Sequence, residues 1–104
     1  MNEKQIKNIF ISQPMAEKTD EEIKIERAQA LVDVCNRINK PVREIQSFFN
    51  EAPKDAKPLW FIGESIKMMA EADIVYFCKG WENQRGCKIE FDCAVKYGKT
   101  CMFA

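Results

Sequence analysis

The sequence predicts a three-layer α/β fold, with one parallel sheet of about four strands in the order 2-1-3-4 and helices on both of its faces. Two features carry the prediction. Short apolar runs such as Ile9-Phe10-Ile11 and Ile74-Val75-Tyr76-Phe77-Cys78 alternate with longer stretches of helical periodicity, and the connections between them are short. A chain of 104 residues, 46% of them apolar, has material for one core, so residues 1–104 read as a single domain with no linker, repeat or low-complexity segment.

Each element has its own warrant. Ile6 to Ile11 is apolar enough for a buried first strand, and Ser12-Gln13-Pro14-Met15 breaks it into a loop. Thr19 and Glu22 have capping-box spacing, opening a helix that runs to about Asn39 with Ile25, Ala28, Leu31, Val32, Cys35 and Ile38 facing inward. Pro41 precedes a second strand from Val42 to about Phe48. A polar loop from Asn50 to Lys57 leads to a second helix, with Pro58 in its first turn and Leu59, Ile62, Ile66 and Met69 inward, ending near Ala72-Asp73. Ile74 to Cys78 form the third strand. The last helix spans about Gly86 to Tyr97 with Gly98 as its C-cap, and Thr100 to Phe103 are the final strand. The whole is a Rossmann- or flavodoxin-like arrangement. Its switch point falls between the first and third strands, where the Ser12 loop and Lys79-Gly80-Trp81 meet at one crevice.

Composition narrows the function. Sixteen basic residues balance sixteen acidic ones, so no global field recruits a nucleic-acid polymer or an anionic membrane. No apolar run reaches the length of a membrane span, and the charged start Met1-Asn2-Glu3-Lys4 is not a signal peptide, which places the protein in the cytoplasm. Five cysteines without a CxxC pair, and no histidine, argue against a disulfide framework, zinc sites and imidazole-based triads. Cys35, Cys78, Cys93 and Cys101 read as small hydrophobes. Cys87, beside Arg85 at a helix start, has the setting of a stabilised thiolate, with packing as its alternative role. No dinucleotide fingerprint or phosphate-binding P-loop occurs, and no cofactor or metal is expected.

The most informative stretch is Gly80-Trp81-Glu82-Asn83-Gln84-Arg85-Gly86-Cys87-Lys88-Ile89-Glu90, a strand-to-helix turn with two glycines, an arginine fork and one carboxylate about a turn into the helix. A carboxylate there lies in the positive field of the helix N-terminus, which favours its ionised, nucleophilic form.

Glu90 is preceded by Gly86 and followed by Ala94 and Gly98-Lys99, and the chain opens on Ile9-Phe10-Ile11-Ser12-Gln13-Pro14-Met15. These segments, with Gly63-Glu64-Ser65-Ile66 ahead of Ala72-Asp73, resemble the nucleoside 2-deoxyribosyltransferases and their relatives that hydrolyse deoxynucleoside monophosphates. The likeness covers nearly the whole chain and is nearest to a short bacterial and phage branch. It implies that Glu90 is the catalytic nucleophile and that Ser12, Gln13, Pro14, Met15, Ser65, Gly80, Trp81, Asn83, Gln84, Arg85 and Gly86 bind substrate. It also implies homo-oligomers, a dimer or higher even assembly, that complete their sites with a neighbouring chain.

The chain departs from that family at Gln84, where an aspartate usually assists the base, at Ser65 or Glu64, where a ribose-binding aspartate is usual, and at Asp92, where a glycine is common. Expected chemistry is attack of Glu90 on C1′ of a 2-deoxynucleoside or its 5′-monophosphate, with Glu82 or Asp92 as candidate proton donors. Blander roles compete. Glu90 also fits a helix acid, Trp81 a core aromatic, Arg85 a solvated cation, and Ser12 and Gln13 turn residues. Two other functions remain open: a nucleotide-binding sensor without turnover, and an interaction protein using Leu59-Trp60-Phe61-Ile62.

Overall fold

The computed structural model describes residues 5–49 and 52–104. The charged start at residues 1–4 and the loop positions 50 and 51 lie outside the described residues. The elements run β1 (Lys7–Ser12), α1 (Asp20–Ile38), β2 (Val42–Glu44), α2 (Pro58–Met69), β3 (Ile74–Phe77), α3 (Arg85–Lys96) and β4 (Thr100–Phe103), with a 3₁₀ turn at Trp81–Asn83. The four strands form one parallel sheet in the order β2-β1-β3-β4, as the alternation predicts.

The strand period of two divides the core between the faces of this sheet. Ile9, Ile11, Ile74, Tyr76 and Cys78 pack with Ala30 and Val34 of α1 on one side. Phe10, Val75 and Phe77 pack with Met69 of α2 and Ala94 of α3 on the other. Both faces are covered, so β1 and β3 are buried almost throughout, which explains why they read as continuous apolar runs rather than alternating ones.

Three expectations about the elements need correction. The buried residues of α1 are Ile23, Arg27, Ala30 and Val34, while Ile25 is 51% and Val32 60% exposed and Ala28 is also exposed. The stripe is displaced because it contains a charge: Arg27 lies between Ile23 and Ala30 with each of its three guanidinium nitrogens hydrogen-bonded, so apolar periodicity alone selected a neighbouring face. On α2, Leu59 is 81% exposed and Ile66 faces outward, whereas Ser65 and Met69 are buried. A polar residue again occupies the inward position.

The third correction concerns β2, which stops at Glu44 instead of reaching Phe48. Ile45 still donates to the Ile9 carbonyl at 2.9 Å, but its own carbonyl accepts from Arg27 Nη2 at 3.3 Å, and the same nitrogen donates to Ser47 Oγ at 2.9 Å. Arg27 therefore draws this edge segment away from the ladder. The ends of α1 and α3 agree with the sequence, whereas α2 stops at Met69, before Ala72-Asp73, and the chain goes on in turns with Ala70, Glu71 and Ala72 donating to the carbonyls of Lys67, Met68 and Met69. Thr19 and Glu22 exchange both capping-box bonds, Asn39 closes α1 in the left-handed region, and Gly98, at φ +71°, follows α3. No described helix is long and apolar enough to cross a membrane.

Candidate functional site

The switch between β1 and β3 opens a cleft at the C-terminal edge of the sheet. The Cys78 amide donates to the Ser12 carbonyl at 2.9 Å and holds the two strand ends together. Beyond them the chain turns away on both sides, leaving the space that parallel sheets use for ligands. The cleft measures about 230 Å³ and is lined by Gln13, Pro14, Met15, Ser47, Phe49, Phe61, Ile62, Ser65, Gln84, Gly86, Cys87 and Glu90.

Glu90 is the carboxylate of this cleft. It projects from the second turn of α3 and is only 7% exposed. Ser12 Oγ, at the end of β1, donates to Glu90 Oε1 at 2.6 Å, and buried Ser65 of α2 lines the cleft beside the carboxylate. Burial pushes its pKa above the ordinary carboxylate value. The Ser12 and Ser65 hydroxyls and the positive charge of Arg27 pull the other way without cancelling it. The direction is opposite to the one the helix N-terminus would give, because Glu90 lies beyond the first turn, where the helix field has faded, and desolvation outweighs it.

Cys87, the other reactive side chain here, is buried with its thiol pushed up to about 11 by desolvation, and Cys78 behind it up to about 12. Both are protonated near neutral pH and pack as small hydrophobes. All five cysteines are free thiols, three of them only half-buried. Among the described residues no group of three potential metal ligands comes together.

The structure brings together seven of the residues singled out in the sequence, namely Gln13, Pro14, Met15, Ser65, Gln84, Gly86 and Glu90, with Ser12 directly behind the carboxylate. Gly86 has a packing reason to be glycine, since a Cβ there would lie 3.0 Å from Ile62 Cδ1, so α2 and α3 approach closely on this wall. The polar atoms of Gln13 are committed within the protein: its amide donates to the Ile23 carbonyl at 3.0 Å and to Glu26 Oε1 at 2.7 Å, and accepts from Arg27 Nη1 at 3.3 Å.

Four of the singled-out residues lie outside the cleft. Gly80, at φ +90°, turns the chain past Pro14. Trp81 stacks into a cluster with Phe77, Phe91 and Phe103, its ring centroid 4.8 Å from that of Phe91. Asn83 and Arg85 are exposed on the far side of the turn. The candidate acids Glu82 and Asp92 are exposed as well, and Asp92 pairs with Lys96 at 2.9 Å.

The aromatic wall of the cleft comes instead from Phe49 and Phe61, which cluster with Trp60. Sequence reasoning did not place these rings at the site, because nothing local shows that the segment after β2 folds over the cleft. It also missed the buried polar frame beneath. Arg27 Nε pairs with Glu44 Oε2 at 2.6 Å and its other nitrogens reach Gln13, the Ile45 carbonyl and Ser47. The available signal was a lone arginine four residues from Ile23 and three from Ala30, at the spacing of an inward helix face.

No curated protein sequence matches this chain. Residues 7–103, from the first residue of β1 to the last of β4, match the family described as Domain of unknown function (DUF4406), and the chain belongs to that family.

Proposed function

We propose that the protein cleaves or transfers the N-glycosidic bond of a 2-deoxynucleoside or its 5′-monophosphate, with Glu90 as the nucleophile. The observation that carries this reading is a buried carboxylate, the only one among the described residues that line the switch-point cleft, aimed by the 2.6 Å bond from Ser12. The ionised Glu90 attacks C1′ as the bond to the base breaks, through an oxocarbenium-like transition state, and a covalent sugar ester results. Water then releases the sugar and completes hydrolysis, or a second base takes it and completes transfer. Either route restores the carboxylate. The departing base needs one proton. Because Glu82 and Asp92 lie outside the cleft, solvent entering it is assigned as the donor. Phe49 and Phe61 supply apolar wall for the substrate, while Ser65 and Gln84 supply hydrogen-bonding groups.

A second reading, a nucleotide-binding sensor without turnover, is favoured by one observation. Gln84, which lines the cleft, is an amide that cannot donate a catalytic proton. One experiment separates the two. The protein is incubated with a panel of deoxynucleosides and their monophosphates, with and without an acceptor base, and released base is followed by chromatography while binding is measured by calorimetry. Base release by the wild type and none by Glu90→Gln supports the enzyme; binding without release supports the sensor; neither binding nor release defeats both. The working unit is proposed to be a cytoplasmic homo-oligomer of even number acting on this small molecule, without a cofactor.

A further inference from the structure

Arg27 is the least expected residue of the fold: an arginine 3% exposed, on the inward face of α1, beneath a cleft whose only lining carboxylate among the described residues is Glu90. Placing a cation there is costly, and the surroundings meet the cost bond by bond. Nε donates to Glu44 Oε2 at 2.6 Å, Nη1 to Gln13 Oε1 at 3.3 Å, and Nη2 to Ser47 Oγ at 2.9 Å and to the Ile45 carbonyl at 3.3 Å. Two of these partners, Gln13 and Ser47, line the same cleft as Glu90, and they come from different segments, one following β1 and the other following β2. Gln13 passes the connection on to Glu26, which pairs with Lys18 at 2.8 Å.

We propose that Arg27 is a positioning residue for Glu90: it ties the walls after β1 and β2 into one frame and holds a fixed positive charge behind the carboxylate, with Glu44 setting how much of that charge Glu90 feels. The inference rests on the reading of Glu90 as the reacting group. Among the described residues, the groups facing Glu90 from the packed elements are few. They are the Ser12 hydroxyl from β1, the Ser65 hydroxyl from α2, the Cys87 thiol from its own helix and the Arg27 charge from α1, with the Glu26–Lys18 pair behind Gln13. Arg27 is the one cation that acts directly on Glu90 among them. A nearby positive charge favours the ionised form of a carboxylate, the form that attacks C1′.

A purely structural arginine and a charge-setting one differ in what happens at Glu90. The test labels the glutamate carboxyl carbons with ¹³C in the full-length chain, identifies the Glu90 signal by its loss in Glu90→Gln, and titrates it. The charge-setting role requires the Glu90 midpoint to rise in Arg27→Met, to stay near wild type in Arg27→Lys, and to fall in Glu44→Gln, where the arginine loses its counter-ion. Opposite shifts from the two partners of one ion pair are not what a shared loss of packing produces. A midpoint unmoved in Arg27→Met overturns the inference, however much the melting temperature falls. Should Arg27→Met fail to fold, Glu44→Gln decides alone, and an unchanged or raised midpoint there overturns the inference. Opposite midpoint shifts in a protein that releases no base leave the inference standing and remove the N-glycosidic reading. Base release whose acid limb is the same in wild type and Arg27→Met does the reverse.

Discussion

Under the proposed chemistry Glu90 faces two opposing demands: attack on C1′ needs it ionised, and burial favours its protonated form. Its pKa is raised in the folded protein, so the folded state holds this proton more tightly than the unfolded chain. The stability it contributes is therefore fully present below the unfolded value and is lost as pH rises through the folded one. Glu90→Gln should abolish base release and raise the melting temperature at neutral pH, with that thermal advantage shrinking toward acid pH; calorimetric melts across pH measure it. Ser12→Ala removes the 2.6 Å bond to a buried acceptor and should cost about 1–3 kcal/mol of stability in denaturant titrations, while moving the acid limb of any activity to higher pH. At this scale the sequence was legible where a residue type is diagnostic by itself, as with an isolated glutamate at a strand-to-helix turn. It was not legible for Arg27, because a charge is read as solvent-facing until its partners are seen. Glu44, Gln13 and Ser47 lie 17, 14 and 20 positions away in sequence.

The helices owe their limits to local chemistry and their faces to distant contacts. Thr19 and Glu22 satisfy two otherwise orphaned amides of α1, so Thr19→Ala should lower stability by about 1 kcal/mol in urea titrations with activity retained, as the cap is remote from the cleft. Between α2 and α3 the determinant is volume. A Cβ on Gly86 meets only the tip of Ile62, which can yield, but the two branches of valine cannot be placed as easily. Gly86→Val should cost about 1–3 kcal/mol by the same titration and narrow the cleft, whereas Gly86→Ala should be nearly neutral, since the higher helix propensity of alanine offsets a small displacement. Caps and glycine stops were legible because each is a short-range hydrogen-bond or backbone requirement. The inward faces of α1 and α2 were misread because the polar residues Arg27 and Ser65 occupy buried positions on them.

Across the whole molecule, β2 and β4 are both sheet edges, and Leu59, Ile66, Val95 and Tyr97 are exposed on the outer side of α2 and α3, Tyr97 at 82%. A groove of about 370 Å³ runs between these helices, lined by Ile66, Met69, Ala70, Cys93, Tyr97 and Lys99. The proposed homo-oligomer should use this surface. Light scattering at tens of micromolar should give an even multiple of the monomer mass, and Tyr97→Asp should shift it to monomer; a monomeric wild type removes the proposal. With no net charge on the chain, this association should survive moderate salt, as burial of apolar surface is not screened.

By itself the sequence determined the class of fold, the strand order and the place of the cleft. Continuous apolar strands alternating with capped amphipathic helices admit few right-handed, doubly covered sheets, and the topology puts Ser12 and Glu90 at one edge. Only the tertiary structure decided which side chains line that cleft and which of them are desolvated. Trp81 left it for an aromatic cluster, Phe49 and Phe61 entered it, and Arg27 came under it. Backbone hydrogen bonds and periodicity act over a few residues and leave a local record in the sequence. Desolvation of Glu90 and the ion pair of Arg27 depend on groups from β1, β2, α1, α2 and α3 meeting in space, and no window along the chain contains them together.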